Sequence, residues 1–430
     1  MDPQTVTPQN ADERLVYKAI VYSYLFWLLG ALYIVAPVIA WILFCRLLIK
    51  KISYQPAHTI SLAHYVWLLG MWVMLMALIV GHLEQGLGLA KLIKSTIGWA
   101  KGWALLAIFP VVACLDIRPQ IIYRACCQVC KHTVLLLPIF LLAWIIRLPS
   151  TLYVSPLSII GGPGPEFFSL SLYEIDPGSG IPRWRLFTPW APALGMLGNL
   201  YFIFALQESS TQWKRWGVIG SLLMVLMSQS RLALICYLAL FGYFSMLKFV
   251  RSPILYFILC PVILATGFVG ESILNKITMS IAAVKSARAD STRVRQALAD
   301  IAVERWWNEA VLFGHGIVER GPHMVEYMPI GSHHTWYGLL FVKGLVGAVA
   351  LAVPMLVSFV VLMVNIFARP LAKVGMAILM LLMLYTLGEN LEILAYLFWP
   401  GLIILGKALI ADNDNMPTEE PNEQISTRLD

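Results

Sequence analysis

The sequence predicts an all-α polytopic membrane protein with about 11–12 transmembrane helices and two long extracytoplasmic loops. Hydrophobic residues make up 59% of the 430 residues and charged residues only 13%, whereas about 25% of an ordinary globular domain is charged. Mean hydropathy is +0.75, and apolar runs of ~20 residues alternate with short basic segments. A soluble fold would lack the polar residues needed to cover so much apolar surface.

Each apolar run is expected to be a helix, because every backbone amide inside hydrocarbon needs an internal hydrogen-bond partner. The predicted spans are 20–44, 61–83, 99–115, 132–147, 190–207, 216–230, 232–248, 253–270, 345–367, 373–388 and 391–410. Gly30 and Pro37 interrupt the first run. Residues 19–45 therefore form either one tilted helix or a tight hairpin, and both alternatives stay open.

The basic residues orient these spans, because cytoplasmic loops carry an excess of lysine and arginine. One side receives most of the basic clusters, which are Arg46, Lys50 and Lys51, then Arg118, Arg124 and Lys131, then Lys214 and Arg215, Lys248 and Arg251, Arg369 and Lys373, and Lys407. We expect that side to be cytoplasmic, together with a disordered acidic tail after Ala411. Lys91 and Lys94 fall on the opposite side. The net charge of +7 thus indicates topology and no nucleic-acid partner.

The pattern divides the chain into six predicted regions. They are N-terminal transmembrane helices (1–147), a first long periplasmic loop (148–189), central transmembrane helices (190–270), a large periplasmic catalytic loop (271–334), C-terminal transmembrane helices (335–410) and a disordered cytoplasmic tail (411–430). The first loop is rich in turn formers. The second is densely charged and predicts an amphipathic helix from about Asp290 to Asn308. Long ordered loops in compact proteins are usually functional.

Arginines of the second loop are candidates for binding a diphosphate, together with Arg231. Arg231 lies at a tight turn between two apolar spans, where a permanent charge needs a partner, and its planar fork suits phosphate. Arg288, Arg293 and Arg295 lie on or next to the predicted amphipathic helix. Lipid headgroups or a solvated helix face are the alternative roles for these arginines. Glu389 and Glu392, near the outer end of the last two spans, would pair with them or face solvent.

Histidines near the start of a later span are candidates for proton transfer. His333 and His334 precede the apolar run that begins at Tyr337. An imidazole beside cationic neighbours tends to stay neutral and can act as a general base, whereas a helix cap is the alternative role. Standard hydrolase and ATP-binding motifs are absent from the sequence. Cys127 and Cys130 lack the second cysteine pair of a structural zinc site, so no metal and no cofactor is predicted.

The order of these motifs resembles the O-antigen ligase and Wzy-type polysaccharide polymerase superfamily of bacterial membrane glycosyltransferases. The motifs that carry the resemblance are Ser228–Arg231, the arginine-bearing helix, Gly314-His315-Gly316, Gly331-Ser332-His333, and Gly344 with Gly347. They cover about residues 215–350, and the remainder is similar only in hydropathy. The carboxylate that the family often has before the first downstream glycine is replaced by Val342.

The resemblance implies a GT-C-like enzyme of the bacterial inner membrane whose active site faces the periplasm. It would transfer glycan, without a metal, from a polyprenyl diphosphate such as undecaprenyl diphosphate to an acceptor sugar. His333 falls on the family's essential histidine and Arg231 on its SR arginine, while Arg288, Arg293 and Arg295 are alternatives for the loop arginine. His334 and His315 are possible supporting residues. A chain-length regulator and a flippase are possible partners besides the bilayer.

Three functions remain as alternatives. The first is a polymerase that joins lipid-linked repeat units of an exopolysaccharide, capsule or O-antigen, which the long 148–189 loop favours. The second is an O-antigen ligase that transfers glycan to lipid A core with the same residues. The third is a transporter of lipid-linked oligosaccharide, a class that tends to place polar sites on broken helices in mid-membrane.

Overall fold

The computed structural model describes residues 6–53, 58–176, 180–249, 289–331 and 334–410. These residues are mostly helical. The helices are α1 (Ala11–Val21), α2 (Ser23–Leu28), α3 (Leu32–Ile52), α4 (Leu62–Glu84), α5 (Leu89–Lys101), α6 (Leu105–Val112), α7 (Pro119–Ile145), α8 (Ala191–Gln207), α9 (Thr211–Ser228), α10 (Arg231–Phe249), α11 (Ala289–Glu309), α12 (Thr335–Asn365), α13 (Pro370–Tyr385) and α14 (Leu391–Leu409).

Within the described ranges, 7 helical segments are long and apolar enough to cross a membrane. They are Leu32–Ile52, Leu62–Glu84, Leu89–Val112, Pro119–Ile145, Arg231–Phe249, Thr335–Asn365 and Leu391–Leu409. Ala191–Gln207 and Pro370–Tyr385 are shorter apolar helices. The chain is therefore a largely helical membrane protein, as the composition predicts. The predicted span 253–270 and the predicted tail 411–430 lie outside the described residues.

The N-terminal apolar run forms a helical hairpin rather than one tilted helix. Helix α2 ends at Leu28, Gly30 has φ +65°, and α3 begins at Leu32. Glycine suits this turn because a positive φ strains other residues. A Cβ atom at position 30 would also overlap Ser155, so the first long loop packs directly against the turn.

Three of the predicted spans begin too late: 345–367 is the second part of α12, which begins at Thr335, and the other two have identifiable reasons. Span 99–115 is the second part of a longer segment, α5 and α6, which breaks at Gly102. Span 132–147 is the second half of α7, which begins at Pro119. The additional turns of α7 contain Arg124, and its guanidinium makes a two-point contact with Glu208 at 2.9 and 3.0 Å. This partner lies far away along the chain and removes the cost of burying Arg124 within the bundle.

The central helices pack through small side chains. Helix α8 is buried on all sides from Ala193 to Ala205, and it lies against α9. A Cβ atom on Gly217 of α9 would lie 2.7 Å from Cys127 Sγ, and one on Gly220 would lie 2.5 Å from Cys130 Cβ. The two cysteines of α7 therefore fill the space that these glycines leave, and both are buried.

The first long loop is ordered over its described residues. Strand β1 (Thr151–Val154) pairs antiparallel with β2 (Ser169–Ser171), and β3 (Glu174–Ile175) pairs with β4 (Pro182–Arg183). Buried Arg185 donates to the carbonyl of Pro189 and, at 2.7 Å, to Ser169 Oγ. These bonds fix the loop against the start of α8. We call this end of the bundle the loop end, and α8 separates it from the opposite end by roughly 25 Å.

Candidate functional site

A short turn at the loop end joins the end of α13 to the starts of α12 and α14. Residues 386–390, here called the 386–390 turn, connect α13 to α14. Thr335 at the start of α12 donates its backbone N–H to the Thr386 carbonyl at 2.9 Å and its hydroxyl to the Glu389 carbonyl at 2.6 Å. The same hydroxyl accepts the N–H of Leu391 at 3.1 Å. These bonds hold α12, the turn and α14 in one fixed arrangement.

The Glu389 side chain points inward from this turn. It is buried, with 6% of its surface exposed, and its Oε2 accepts a hydrogen bond of 3.0 Å from the indole N–H of Trp190. Burial raises the pKa of Glu389 to about 7, while the Arg295 charge and the Trp190 hydrogen bond act in the lowering direction. In the described part of the chain, no basic side chain forms a direct ion pair with this carboxylate.

Arg231 begins α10 beside the same turn. Helix α9 ends at Ser228, and Gln229 takes a left-handed conformation with φ 49° before α10 starts. The Gln229 amide donates to the Pro182 carbonyl at 2.9 Å, which ties the turn to strand β4. Leu232 approaches Gly388, where an added Cβ would lie 3.3 Å from Leu232 Cδ2. The tight turn predicted at Arg231 is present, and Arg231 is exposed there.

The start of α12 brings the predicted histidine pair to this region. His333, the predicted catalytic residue, and Ser332 lie outside the described residues. His334 is the N-cap of α12, and its ring lies 4.1 Å from that of Tyr337. Burial lowers the pKa of His334. Its Nδ1 is buried and has no hydrogen-bond partner among the described residues, so a neutral imidazole is favoured there.

Helix α11 matches the predicted amphipathic helix and carries two of the predicted arginines. Val294 and Leu298 are buried in a small cluster with Phe341 of α12, whereas Arg293 and Arg295 are exposed. Arg295 lies close enough to act electrostatically on Glu389. Arg288 lies outside the described residues. Of the predicted diphosphate-binding residues, Arg231 and Arg295 therefore border the 386–390 turn.

His315 belongs to a separate charged network. Its Nε2 lies 2.7 Å from Glu309 and its Nδ1 lies 3.0 Å from the Phe341 carbonyl. Arg305 binds Glu309 with its guanidinium and also pairs with Glu319 at 2.6 Å. Hydrogen bonds from Arg305 and His315 lower the pKa of Glu309 to about 2. Through these contacts His315 links the end of α11 to α12.

The glycine motifs have a structural explanation in α12. Gly344 has φ 62° and ψ −164° and interrupts this helix. At the break, the N–H groups of Leu345 and Val346 and the carbonyl groups of Phe341 and Val342 bond to residues 311–316 instead of to each other. The replacement bonds run from His315 N to Phe341 O (2.8 Å), Gly316 N to Val342 O (2.9 Å), Leu345 N to Val311 O (2.9 Å) and Val346 N to Leu312 O (3.1 Å). A Cβ atom on Gly344 would overlap the Leu312 carbonyl.

A buried lysine and a glutamate lie between two interrupted helices. Lys343 directly precedes the break in α12 and is 4% exposed, and its ammonium interacts electrostatically with Glu392 at the start of α14. Glu392 also packs against Gly102, the break between α5 and α6, where a Cβ would lie 2.6 Å from Glu392 Cγ. A charged residue inside a membrane-spanning helix is a functional candidate by default.

A cavity of about 650 Å³ lies at the opposite end, around the turn between α8 and α9. It is lined by Ser209, Ser210, Thr211, Gln212, Arg215, Trp216 and Ile219. Helix α8 separates this cavity from Arg231 and Glu389, so it contributes nothing to the loop-end site. In the described ranges, no group of His, Cys, Asp or Glu side chains is arranged to hold a metal ion.

Three functional candidates come from the structure rather than from sequence patterns. Trp190 and Thr335 position Glu389, but an aromatic residue and a threonine at helix starts carry no distinctive signal. Lys343 could have been noticed as the basic residue within a predicted apolar region. The burial of Glu389 depends on contacts between distant segments, which no local pattern encodes.

Comparison of the chain with models of known protein families finds no match, and comparison with curated proteins finds none either. The resemblance to the ligase and polymerase superfamily therefore depends on the order of the sequence motifs.

Proposed function

We propose that the chain is a metal-independent membrane glycosyltransferase that transfers glycan from a polyprenyl-diphosphate donor to an acceptor sugar. The observation that carries the proposal is the convergence of Arg231, Arg295, Glu389 and the start of α12 around the 386–390 turn. Each comes from a different helix or turn, and the order of the surrounding motifs resembles that of known glycan polymerases and ligases.

The two exposed arginines suit the leaving group of such a reaction. Breaking the bond between the anomeric carbon and the diphosphate places negative charge on the phosphate oxygens. Guanidinium groups fixed beside that position stabilise the charge without a metal ion, and such electrostatic stabilisation is usually the largest contribution to catalysis. Arg231 and Arg295 hold this role in the proposal, with Arg293 and Arg288 as further loop arginines.

The resemblance identifies the histidine that is expected to accept a proton. His333 would take the proton of the acceptor hydroxyl as its oxygen attacks the anomeric carbon. The described neighbour His334 supports this assignment, since burial keeps its ring neutral beside the same turn. Exclusion of water by the bound donor and acceptor would favour transfer to a sugar over hydrolysis.

Polymerisation of repeat units is the favoured form of this activity. The first long loop is ordered, and its Phe167 ring lies 5.7 Å from the ring of Trp190, which binds Glu389. The loop thus ends beside the proposed reaction centre, where it can contact a long acceptor glycan. Ligation of finished glycan to lipid A core uses the same chemistry and differs only in the acceptor.

A second candidate function is transport of a lipid-linked oligosaccharide. The observation that favours it is the Lys343–Glu392 pair between the breaks at Gly102 and Gly344. Secondary transporters often place their coupling sites on discontinuous helices near the midplane. Exposed arginines at the loop end have no defined task in this alternative.

The deciding experiment uses the purified chain in proteoliposomes with lipid-linked glycan extracted from a host strain that lacks the gene. Wild type is expected to elongate the glycan. Arg231→Ala and Arg295→Ala should each reduce the rate at least 100-fold, on the order expected for a lost charge-stabilising donor, and His333→Ala should abolish it. Arg215→Ala, an exposed arginine at the opposite end, is the matched control.

Each alternative gives its own result. Single lipid-linked units that accumulate in the host carrying Arg231→Ala support polymerisation. Intact long chains that remain on the carrier lipid indicate ligation. Movement of the glycolipid across the vesicle membrane without any new glycosidic bond indicates transport. Full-length polymer in all three variants would remove the catalytic assignment.

A further inference from the structure

Glu389 has the features of a proton-accepting group that the resemblance does not supply. Its backbone is fixed on both sides, because its N–H donates to the Tyr385 carbonyl at 2.9 Å and its carbonyl accepts from Thr335. The indole of Trp190 orients its carboxylate. A carboxylate used only to hold the fold would be expected to make a direct ion pair when buried, and in the described residues Glu389 has none.

The position of Glu389 suits a reaction at the surface of the loop end. Leu387 in the same turn is 59% exposed, so the turn reaches the molecular surface while Glu389 lies just beneath it. Leu232 contacts the turn at Gly388, which places the proposed diphosphate ligand Arg231 on one side. On another side of Glu389, His334 directly precedes Thr335, whose hydroxyl hydrogen-bonds the turn.

Charged and titratable groups near Glu389 come from α10, α11, α12 and α13, and Glu392 follows three residues later at the start of α14. Arg295 of α11 acts on its carboxylate through space. Tyr385 at the end of α13 interacts with it electrostatically, and Arg231 and His334 lie at the starts of α10 and α12. The Arg295 charge and the Trp190 hydrogen bond favour the carboxylate form, whereas burial favours the protonated form. The pKa of about 7 is the balance, and it lies near the optimum for a general base at neutral pH.

We propose that Glu389, in place of the His333 that the resemblance suggests, accepts the proton of the acceptor hydroxyl in the glycosyl transfer. This inference rests on the proposed function. As the hydroxyl oxygen forms its bond to the anomeric carbon, the bond from that carbon to the diphosphate oxygen breaks. The electron pair leaves with the diphosphate beside Arg231 and Arg295, and the hydroxyl proton passes to the Glu389 carboxylate. No oxidant or other co-reactant is needed.

The experiment measures the pH dependence of kcat with the same extracted glycolipid. Glu389→Gln should lower kcat at least 100-fold, on the order that general-base catalysis contributes, while KM for the glycolipid changes less than about threefold, because binding depends on the arginines. Glu304→Gln, which replaces an exposed carboxylate of α11, should retain the wild-type kcat.

A second variant separates proton transfer from simple support of the fold. Trp190→Phe keeps a ring but removes the hydrogen bond that stabilises the carboxylate, so the pKa of Glu389 should rise. Wild-type kcat should increase with pH through about 7, and in Trp190→Phe this increase should move to higher pH. A group that only holds the turn together would lower kcat equally at all pH values.

The outcomes separate the two proposals. Wild type that elongates the glycolipid while Glu389→Gln keeps more than a tenth of kcat would overturn the inference and leave the proposed function intact. An unchanged pH profile in Trp190→Phe would overturn it as well and would return the role of proton acceptor to His333. Wild type that never forms a glycosidic bond would overturn both.

Discussion

Two buried glutamates at opposite ends of the bundle have contrasting environments. Glu208 lies against Arg124 with both side chains nearly inaccessible, at 2% and 3% exposure, and the ring of Trp213 covers the guanidinium. Glu389 at the loop end is also buried but is held by one indole N–H and by the more distant charge of Arg295. The first carboxylate has its charge compensated by direct contact, and the second keeps a charge that can be neutralised by a proton.

The contrast distinguishes structural from functional burial of charge. A directly paired glutamate contributes to a unique packing but is unsuited to proton transfer, because its partner holds it ionised. A glutamate without such a partner costs stability whenever it ionises, and proteins retain this cost mainly at functional sites. The stability of variants at Glu208 and at Glu389 therefore tests the proposed role of Glu389 without any substrate.

The largest expected effect is the loss of the direct pair. Glu208→Ala leaves the Arg124 charge buried without its carboxylate and should lower the free energy of unfolding by about 3–5 kcal/mol. Thermal unfolding of the detergent-solubilised protein measures this change. Glu84→Ala, at the exposed end of α4, is the control and should shift the unfolding temperature little. An equal shift in both variants would contradict the assignment of Arg124 and Glu208 as a stabilising unit.

A smaller effect of opposite sign is expected at the loop end. The pKa of Glu389 rises from 4.5 to about 7 on folding, so the folded chain holds its proton more tightly and loses stability as pH rises from about 4.5 through 7. Glu389→Gln cannot ionise and should be more stable than wild type at pH 8, by at most about 3 kcal/mol. The gain should fall below about 1 kcal/mol at pH 5.

Unfolding curves at pH 5 and pH 8 provide the comparison for this prediction. Glu304→Gln is again the matched variant, because its carboxylate is exposed on α11. Equal unfolding temperatures of wild type and Glu389→Gln at pH 8 would show that Glu389 ionises without cost.

The smallest expected effect comes from replacing both members of the direct pair. Arg124→Met combined with Glu208→Leu removes two charges at once and leaves apolar side chains of similar volume. Because desolvation of a buried ion pair largely offsets its attraction, the free energy of unfolding should change by less than about 1 kcal/mol. A double-mutant cycle with the single variants gives the coupling energy, and additive losses would contradict direct pairing.

The sequence predicts much of the architecture because hydropathy follows directly from composition. The apolar runs, the tight turn before Arg231 and the amphipathic helix now seen as α11 all depend on local patterns. The extension of α7 through Arg124 does not, since the residue that makes it possible is Glu208, which directly follows α8. The break at Gly102 is likewise a matter of packing against Glu392.

The candidate site shows the same division. Arg231 and Arg295 can be selected from charge and position, because a permanent charge near a membrane is rare and conspicuous. Glu389 can be seen in the sequence only as a carboxylate between two apolar spans, and its burial arises from Trp190 and Thr335, which belong to distant segments. His315 is the converse, because its motif looks catalytic while its contacts with Glu309 and Phe341 are structural.

The interruption of α12 at Gly344 limits the insertions and deletions that the chain can accommodate nearby. A buried amide that loses its helical partner costs free energy unless another group replaces that partner, so an irregular buried backbone must find its donors and acceptors within the protein. Residues 311–316 supply them in register with Gly344. Inserting or deleting a single residue in this short stretch would orphan several peptide groups at once. The lengths of the segments around Gly316 and Gly344 are therefore constrained by the hydrogen bonds that join them.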